Sequence, residues 1–295
     1  MTKHGLIWVD AFTDRRFGGN PCAVVFAADP ISTKDRIAFT RETRLSECAF
    51  VQRSETADFG ARYYTASGEI KMAGHPTVAT VTALIQSGLV KTPSDVTLEV
   101  GAGVLPISVD IDEDGGPDFI EMTQPKPRFG REHEPAKIAG LYGIEASDIV
   151  DAPQTVDIGG TKFCVTLLRT HEALRRAALD APALLAMRKR PDCDFAEPFL
   201  ATTQGVTKEG DTFSRLLLPP PEPPEDPFTG SATGCLAAYL WARGHLERPR
   251  FRAEQGHWME RPGVAQVAID GPRDKIEGIR VAGQGVVVMR GEISF

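Results

Sequence analysis

Apolar positions along this chain come in short runs rather than long helical stripes. Residues 5–12 (GLIWVDAF), 22–26 (CAVVF), 48–52 (CAFVQ), 59–65 (FGARYYT), 96–100 (VTLEV) and 104–111 (VLPISVDI) are rich in β-branched and aromatic residues with partial alternation, which predicts strands. A second series follows at 162–168, 199–203, 213–218, 264–269, 275–283 and 285–295. Helical spacing is confined to about 32–43, 74–87, 172–189 and 230–244. Strands outnumber helices and do not strictly alternate with them. The predicted class is therefore α+β rather than a doubly wound parallel sheet. Neither a GxGxxG nor a P-loop pattern occurs, so nothing supports nucleotide cradling.

The helices at 74 and 230 are related. Shifted by 156 residues, EIKMAGHPTVATVTALIQSG (69–88) lies on EDPFTGSATGCLAAYLWARG (225–244) without a gap. Glu69/Glu225, Gly74/Gly230, Thr77/Thr233, Leu84/Leu240 and Gly88/Gly244 are identical pairs. The same shift places the strand at 5–12 on the strand at 161–168, and each helix follows a strand carrying Arg62 or Arg215. The chain reads as two similar halves, 1–125 and 126–284, divided near QPKPRFG (124–130), where prolines and charges interrupt the patterns.

Both helix entrances are furnished for anions. A helix N-terminus carries unpaired N–H groups and the positive end of the macrodipole, which attracts carboxylates. Gly74 and Gly230 let a ligand approach the backbone closely. Thr229 or Ser231 is a natural cap, and Pro76 suits a first turn because its missing N–H is not needed there. Two such entrances facing each other across an interdomain cleft would hold a small anion in two dipole fields. Asp226 precedes the second helix and His75 opens the first, where the dipole disfavours a charged imidazole. Glu47, in RLSECAFV (44–51), reads either as a solvated turn carboxylate or as a general acid/base at the cleft. Asn20, in GGNPCAVV (18–25), is a turn residue or a substrate contact.

Composition narrows the partners. The 295 residues carry a formal net charge of −7, which argues against non-specific nucleic-acid or anionic-membrane binding. No apolar run approaches the ~20 residues of a membrane span. The N-terminus lacks the pattern of a secretory signal, so the expected location is the cytoplasm. Five scattered cysteines form neither a disulfide framework nor a CxxC pattern, and the six histidines show no metal-ligand pairing.

FGGNPCAVVF, RLSECAFV, RYYTASGEIKMAGHPTVA, EDPFTGSATGCLAAYL and EQGHWMERPG together resemble, in order and over most of the chain, the motifs of PhzF-like proteins. This is the phenazine-biosynthesis isomerase family, related in fold to diaminopimelate epimerase. The resemblance implies two pseudo-symmetric domains, each a strand-rich barrel around a central helix, with the final strand 285–295 able to join the first. It implies no cofactor, no metal and a homodimer acting on a small carboxylate-bearing substrate. The family's acid/base glutamate falls on Glu47, its histidine on His75, and its aspartate and serine on Asp226 and Ser231. Asn20, Gly74, Thr229 and Gly230 are the expected substrate contacts. The paired thiols of the epimerase relatives would occupy Ala73 and Thr229, so a two-thiol racemase is not expected. Ala66, Ala73 and Phe228 depart from common family residues, which puts the phenazine-pathway substrate in doubt. The implied activity is an isomerase that moves a proton between carbons. The alternatives are an amino-acid epimerase-like enzyme and a non-catalytic anion-binding protein on the same fold.

Overall fold

The computed structural model describes residues 2–90, 94–111 and 117–295. Its elements run β1 (Lys3–Ala11), β2 (Asn20–Val25), α1 (Thr33–Thr43), β3 (Cys48–Gln52), β4 (Phe59–Tyr64), β5 (Glu69–Ile70), α2 (Gly74–Gln86), β6 (Ser94–Val100), β7 (Gly103–Ile111) and β8 (Pro117–Gln124). Then come β9 (Arg128–Glu132), α3 (Pro135–Tyr142), β10 (Gln154–Asp157), β11 (Phe163–Leu167), α4 (His171–Arg176), α5 (Ala181–Met187), β12 (Glu197–Thr202), β13 (Thr212–Leu217), β14 (Glu225–Asp226) and α6 (Gly230–Ala242). The chain ends with β15 (Arg250–Gln255), β16 (Gly263–Asp270), β17 (Gly278–Gly283) and β18 (Gly285–Ser294). The class is α+β with mixed sheets.

The chain divides into two compact units: Met1–Thr123 with Glu260–Val264 and Ala282–Phe295, and Gln124–Met259 with Ala265–Val281. Beside the final strand, which the resemblance allows to join the first half, the first unit also takes in Glu260–Val264, which a cut near residue 125 does not. Hydrogen bonds show why. Val264 donates its N–H to the Phe12 carbonyl, and Phe12 donates to that of Gln284. β18 then lies antiparallel along the whole of β1, from Lys3 opposite Ser294 to Ala11 opposite Gly285.

In the first unit β1 is antiparallel to β2, β2 parallel to β3, and β3 antiparallel to β4. β4 is antiparallel to β5 and parallel to β6. The second unit repeats this order with β10 to β15: antiparallel, parallel, antiparallel, then antiparallel and parallel from β13. The pairing therefore matches the strand at 163 with β2, not with the strand at 5–12 as the constant shift of 156 predicts. Corresponding strands begin at 163 against 20, 197 against 48, 212 against 59, and 225 against 69. The lag grows because the second unit carries two helices, α4 and α5, where the first has α1, and longer loops thereafter. It reaches 156 at β5/β14 and holds through α2 and α6. The helix predicted over 172–189 is broken between Arg176 and Ala181. There Asp180 caps α5 through the Ala183 N–H at 2.9 Å, and Pro182 lies in its first turn.

α2 and α6 are the buried helices of the two units. Every residue of Gly74–Ile85 and of Gly230–Leu240 is buried. The first unit packs Ala23, Val25, Cys48, Phe50 and Tyr64 into one core cluster, joined by Ile293 and Phe295 at the C-terminus. In the second, Ile138, Tyr142, Leu174, Leu200, Phe213 and Leu217 form another. Among the described residues no helix is long and apolar enough to cross a membrane.

Gly234 shows how closely α6 is packed. The Gln124 amide donates from Nε2 to the Gly230 carbonyl at 3.0 Å. A Cβ built on Gly234 would lie 1.6 Å from Gln124 Oε1. Gly234→Ala should therefore push that amide off Gly230 and lower stability by about 1–3 kcal/mol, the usual range for overpacking. Gln124→Ala in the same chain should recover part of the loss. Urea unfolding of the two single variants and the double variant measures both effects.

Candidate functional site

Three pieces of the first unit meet at the start of α2. Asn20 opens β2 and is fully buried, Glu47 immediately precedes β3, and His75 is the second residue of the helix. Asn20 Nδ2 donates to His75 Nδ1 at 3.0 Å. The Ser46 hydroxyl donates to Asn20 Oδ1 at 3.4 Å. Glu47 Oε2 lies 3.5 Å from the same Nδ1, with one-fifth of its side chain exposed (20%). Burial holds the His75 imidazole down to a pKa of about 3, so it is neutral at physiological pH and the Glu47 contact is not an ion pair. With Nδ1 accepting from Asn20, the ring proton sits on Nε2. That N–H is buried and has no hydrogen-bond partner among the described residues.

This entrance also lacks a side-chain cap. The N-cap of α2 is Ala73, whose side chain cannot cap. By contrast, α1, α4 and α5 are capped by Ser32, Thr170 and Asp180, each accepting from a backbone N–H of the first turn. Behind the first turn, the Thr77 hydroxyl donates to the Ala73 carbonyl at 2.7 Å, and the buried Tyr63 hydroxyl meets Thr77 Oγ1 at 2.9 Å. These bonds hold the helix start from its inner side.

In the second unit Asp226 ends β14 and is 4% exposed, and Ser231 is the second residue of α6. Arg215 grips the neighbouring Glu225 with two bonds of 2.8 Å. This bidentate pair ties β13 to β14 and places the turn that follows. Thr229 is the N-cap residue but does not cap. Its hydroxyl donates instead to Asp226 Oδ2 at 2.5 Å. Its N–H donates to Gln255 Oε1 at 3.0 Å, and its carbonyl accepts from Thr233. All of the polar groups of Thr229 are thus engaged inside the unit. This corrects the sequence expectation that Thr229 caps α6. Gly230 and Ser231 open the helix.

Gln255 and Arg261 are the residues that sequence reasoning missed. Gln255, 1% exposed, is the hub of the α6 entrance. Arg261 donates to Asp10 Oδ1 and to the Gly18 carbonyl at 2.7 Å, and to the Gly19 carbonyl at 2.9 Å. It fixes the glycine turn that delivers Asn20. Both lie in EQGHWMERPG, a stretch singled out for its resemblance but not for any contact. The cysteines behave as core residues. Cys48 is fully buried with its thiol pushed up to about 11 by desolvation, and Cys235 donates to the Val156 carbonyl at 3.5 Å. Among the described residues no group of three His, Cys, Asp or Glu side chains is placed to hold a metal ion.

The profile of the phenazine biosynthesis-like protein family matches residues 9–291. The trans-2,3-dihydro-3-hydroxyanthranilate isomerase of Pseudomonas aeruginosa is 29% identical over 292 residues, covering 98% of each chain. Among solved structures, the Bacillus anthracis phenazine biosynthesis protein of the PhzF family superposes with a TM-score of 0.85 at 25% identity, over 100% of both chains. A hydroxyproline epimerase from Agrobacterium vitis, solved with bound trans-4-hydroxy-L-proline, shares the fold: TM-score 0.66 at 14% identity, over 99% of this chain and 92% of that one.

The neutral state of His75 has a measurable consequence. Its folded pKa of about 3 lies below the ~6.5 of an unfolded histidine. Between these values the unfolded chain binds the extra proton. The contribution of His75 to stability is therefore fully present above pH ~6.5 and is lost as pH falls toward 3. NMR of the ring should show a neutral imidazole throughout pH 5–8, and His75→Gln should flatten the acid-side loss of stability. A His75 ring that titrates near pH 6.5 would contradict this placement.

Proposed function

The chain belongs to the phenazine biosynthesis-like protein family, and on that premise we propose that it is a cofactor-independent isomerase of a small carboxylic acid, with Glu47 as its general acid/base. The observation that carries the assignment is the pairing of Glu47 with a neutral histidine. His75 does not take up a proton near neutral pH, so within this pair the carboxylate is the group able to carry one.

The remaining groups serve the substrate's charge. Removing a proton next to a carboxylate moves negative charge onto the carboxylate oxygens. The uncapped N–H groups of α2 and the Nε2–H of His75 are preorganised donors for that charge. Asp226 and Ser231 orient the substrate and assist. Returning the proton to another carbon shifts a double bond, whereas returning it to the opposite face of the same carbon inverts a centre. Inversion by two bases has less support, since Ala73 has no proton to transfer and the Thr229 hydroxyl is already donated to Asp226.

The reading is tested in deuterium oxide with trans-2,3-dihydro-3-hydroxyanthranilate and trans-4-hydroxy-L-proline as first candidates, followed by related unsaturated and amino acids. Product formation or deuterium incorporation by the wild-type chain is the expected result. Glu47→Gln should lower the rate by about 10²–10⁴-fold, the usual contribution of a positioned acid/base, and leave calorimetric binding of the same ligand intact. Near-normal turnover by Glu47→Gln would remove Glu47 from the mechanism. Binding by the wild type with neither product nor label would favour the anion-binding protein instead.

A further inference from the structure

Gln255 is the last residue of β15 and is 1% exposed. Its amide makes three bonds, all to the two residues that frame the α6 entrance. Oε1 accepts the Thr229 N–H at 3.0 Å. Nε2 donates to the Asp226 carbonyl at 2.8 Å and to Thr229 Oγ1 at 3.2 Å. The last bond has a directional consequence. A threonine hydroxyl has one proton. When its oxygen receives the Gln255 N–H, that proton is directed elsewhere, and Asp226 Oδ2 stands 2.5 Å away to accept it. The chain of donors runs one way: Gln255 amide, Thr229 hydroxyl, Asp226 carboxylate.

We propose that Gln255 is a positioning residue for the reaction, fixing the Asp226 carboxylate through the Thr229 hydroxyl and removing the Thr229 N–H from the anion-binding first turn. The inference rests on the reading in which Asp226 orients substrate. It goes beyond that reading by naming what aims Asp226 and by giving Thr229 a role other than contact. The amide is suited to this in a way its isosteres are not. Glutamate in the same place has no N–H for the Asp226 carbonyl, and it competes with Asp226 for the single threonine proton. Methionine fills a similar volume and makes none of the three bonds.

Amide hydrogen exchange on the full-length chain tests the brace without a substrate. Gln255→Met should speed exchange at the Thr229 N–H by about tenfold, the effect of losing one ordinary hydrogen bond. Thr229→Ser should leave that amide protected. Unchanged protection in Gln255→Met overturns the proposal. The kinetic test uses whichever candidate acid the wild type converts. Gln255→Met, Gln255→Glu and Thr229→Val should each lower kcat by about 10²-fold, as expected when a reacting group is displaced by an ångström, with KM changed less. Gln255→Met combined with Thr229→Val should be no slower than either alone, because both break one relay, while Thr229→Ser should stay near wild type. Additive losses, or wild-type kcat in Gln255→Met where Asp226→Asn is slow, would overturn the relay. If Asp226→Asn is itself as fast as wild type, the assigned role of Asp226 fails, and exchange at Thr229 alone decides whether the brace exists.

Discussion

A helix start that is buried but not capped is the constraint on which the candidate site depends. The first N–H groups of any helix lack an internal partner, and a buried donor left unsatisfied costs about 1–3 kcal/mol. This chain caps α1, α4 and α5 with Ser32, Thr170 and Asp180. At α3 and at α2 and α6, the last two buried along nearly their whole length, it does not. Ala73 has no group to offer, and Thr229 has one but directs it to Asp226. Going without a side-chain cap forgoes a stabilising bond, and departures of that kind gather at functional positions.

The same burial divides the labour among the polar side chains. His75 sits in the positive field of the α2 terminus and is almost wholly desolvated (3% exposed). Both effects oppose a charged ring. It is therefore fixed as a neutral group with one accepting and one donating nitrogen, and Asn20 determines which is which. Glu47 differs in having a fifth of its side chain exposed. On the proposed reading, the group that gains and loses a proton and the group that remains neutral are thus neighbours of different exposure.

The sequence was most legible where the two halves keep one register. From β5 through α2, and from β14 through α6, Glu69 matches Glu225 and Gly74 matches Gly230 in the ladders as in the alignment. Both entrances could be found because glycine, proline and hydroxyl residues at a helix start are local chemistry. The first strands were misaligned because insertions at α4–α5 and in the following loops leave no mark on a constant shift. Only the hydrogen-bonded order, antiparallel then parallel, shows that β11 corresponds to β2. Gln255 and Arg261 escaped notice for a related reason. Their partners are 26 to 251 residues away, and a glutamine at a strand end or an arginine in a connecting segment carries no local pattern that announces a distant carbonyl. Thr229 was misread because a threonine at an N-cap position is ordinarily the cap. Its hydroxyl could be redirected only by a carboxylate and an amide brought in by the fold.

Compared position by position, the two entrances have diverged, and the divergence bears on the chemistry. Ala73 and Thr229 hold equivalent N-cap positions, and His75 and Ser231 equivalent second positions. Inversion of a carbon centre by two bases asks for matched proton donors, one on each face. Here one N-cap residue has no polar side chain, and the other spends its hydroxyl on Asp226. In the repeat, a neutral imidazole corresponds to a serine hydroxyl. Chemistry with a single proton carrier makes no demand for symmetry. It needs one carboxylate that leaves and regains its proton, and fixed donors for the charge that develops in between. A repeat that has kept its helix starts while making their side chains unequal favours that single-carrier reading, with the proton leaving and returning by way of Glu47.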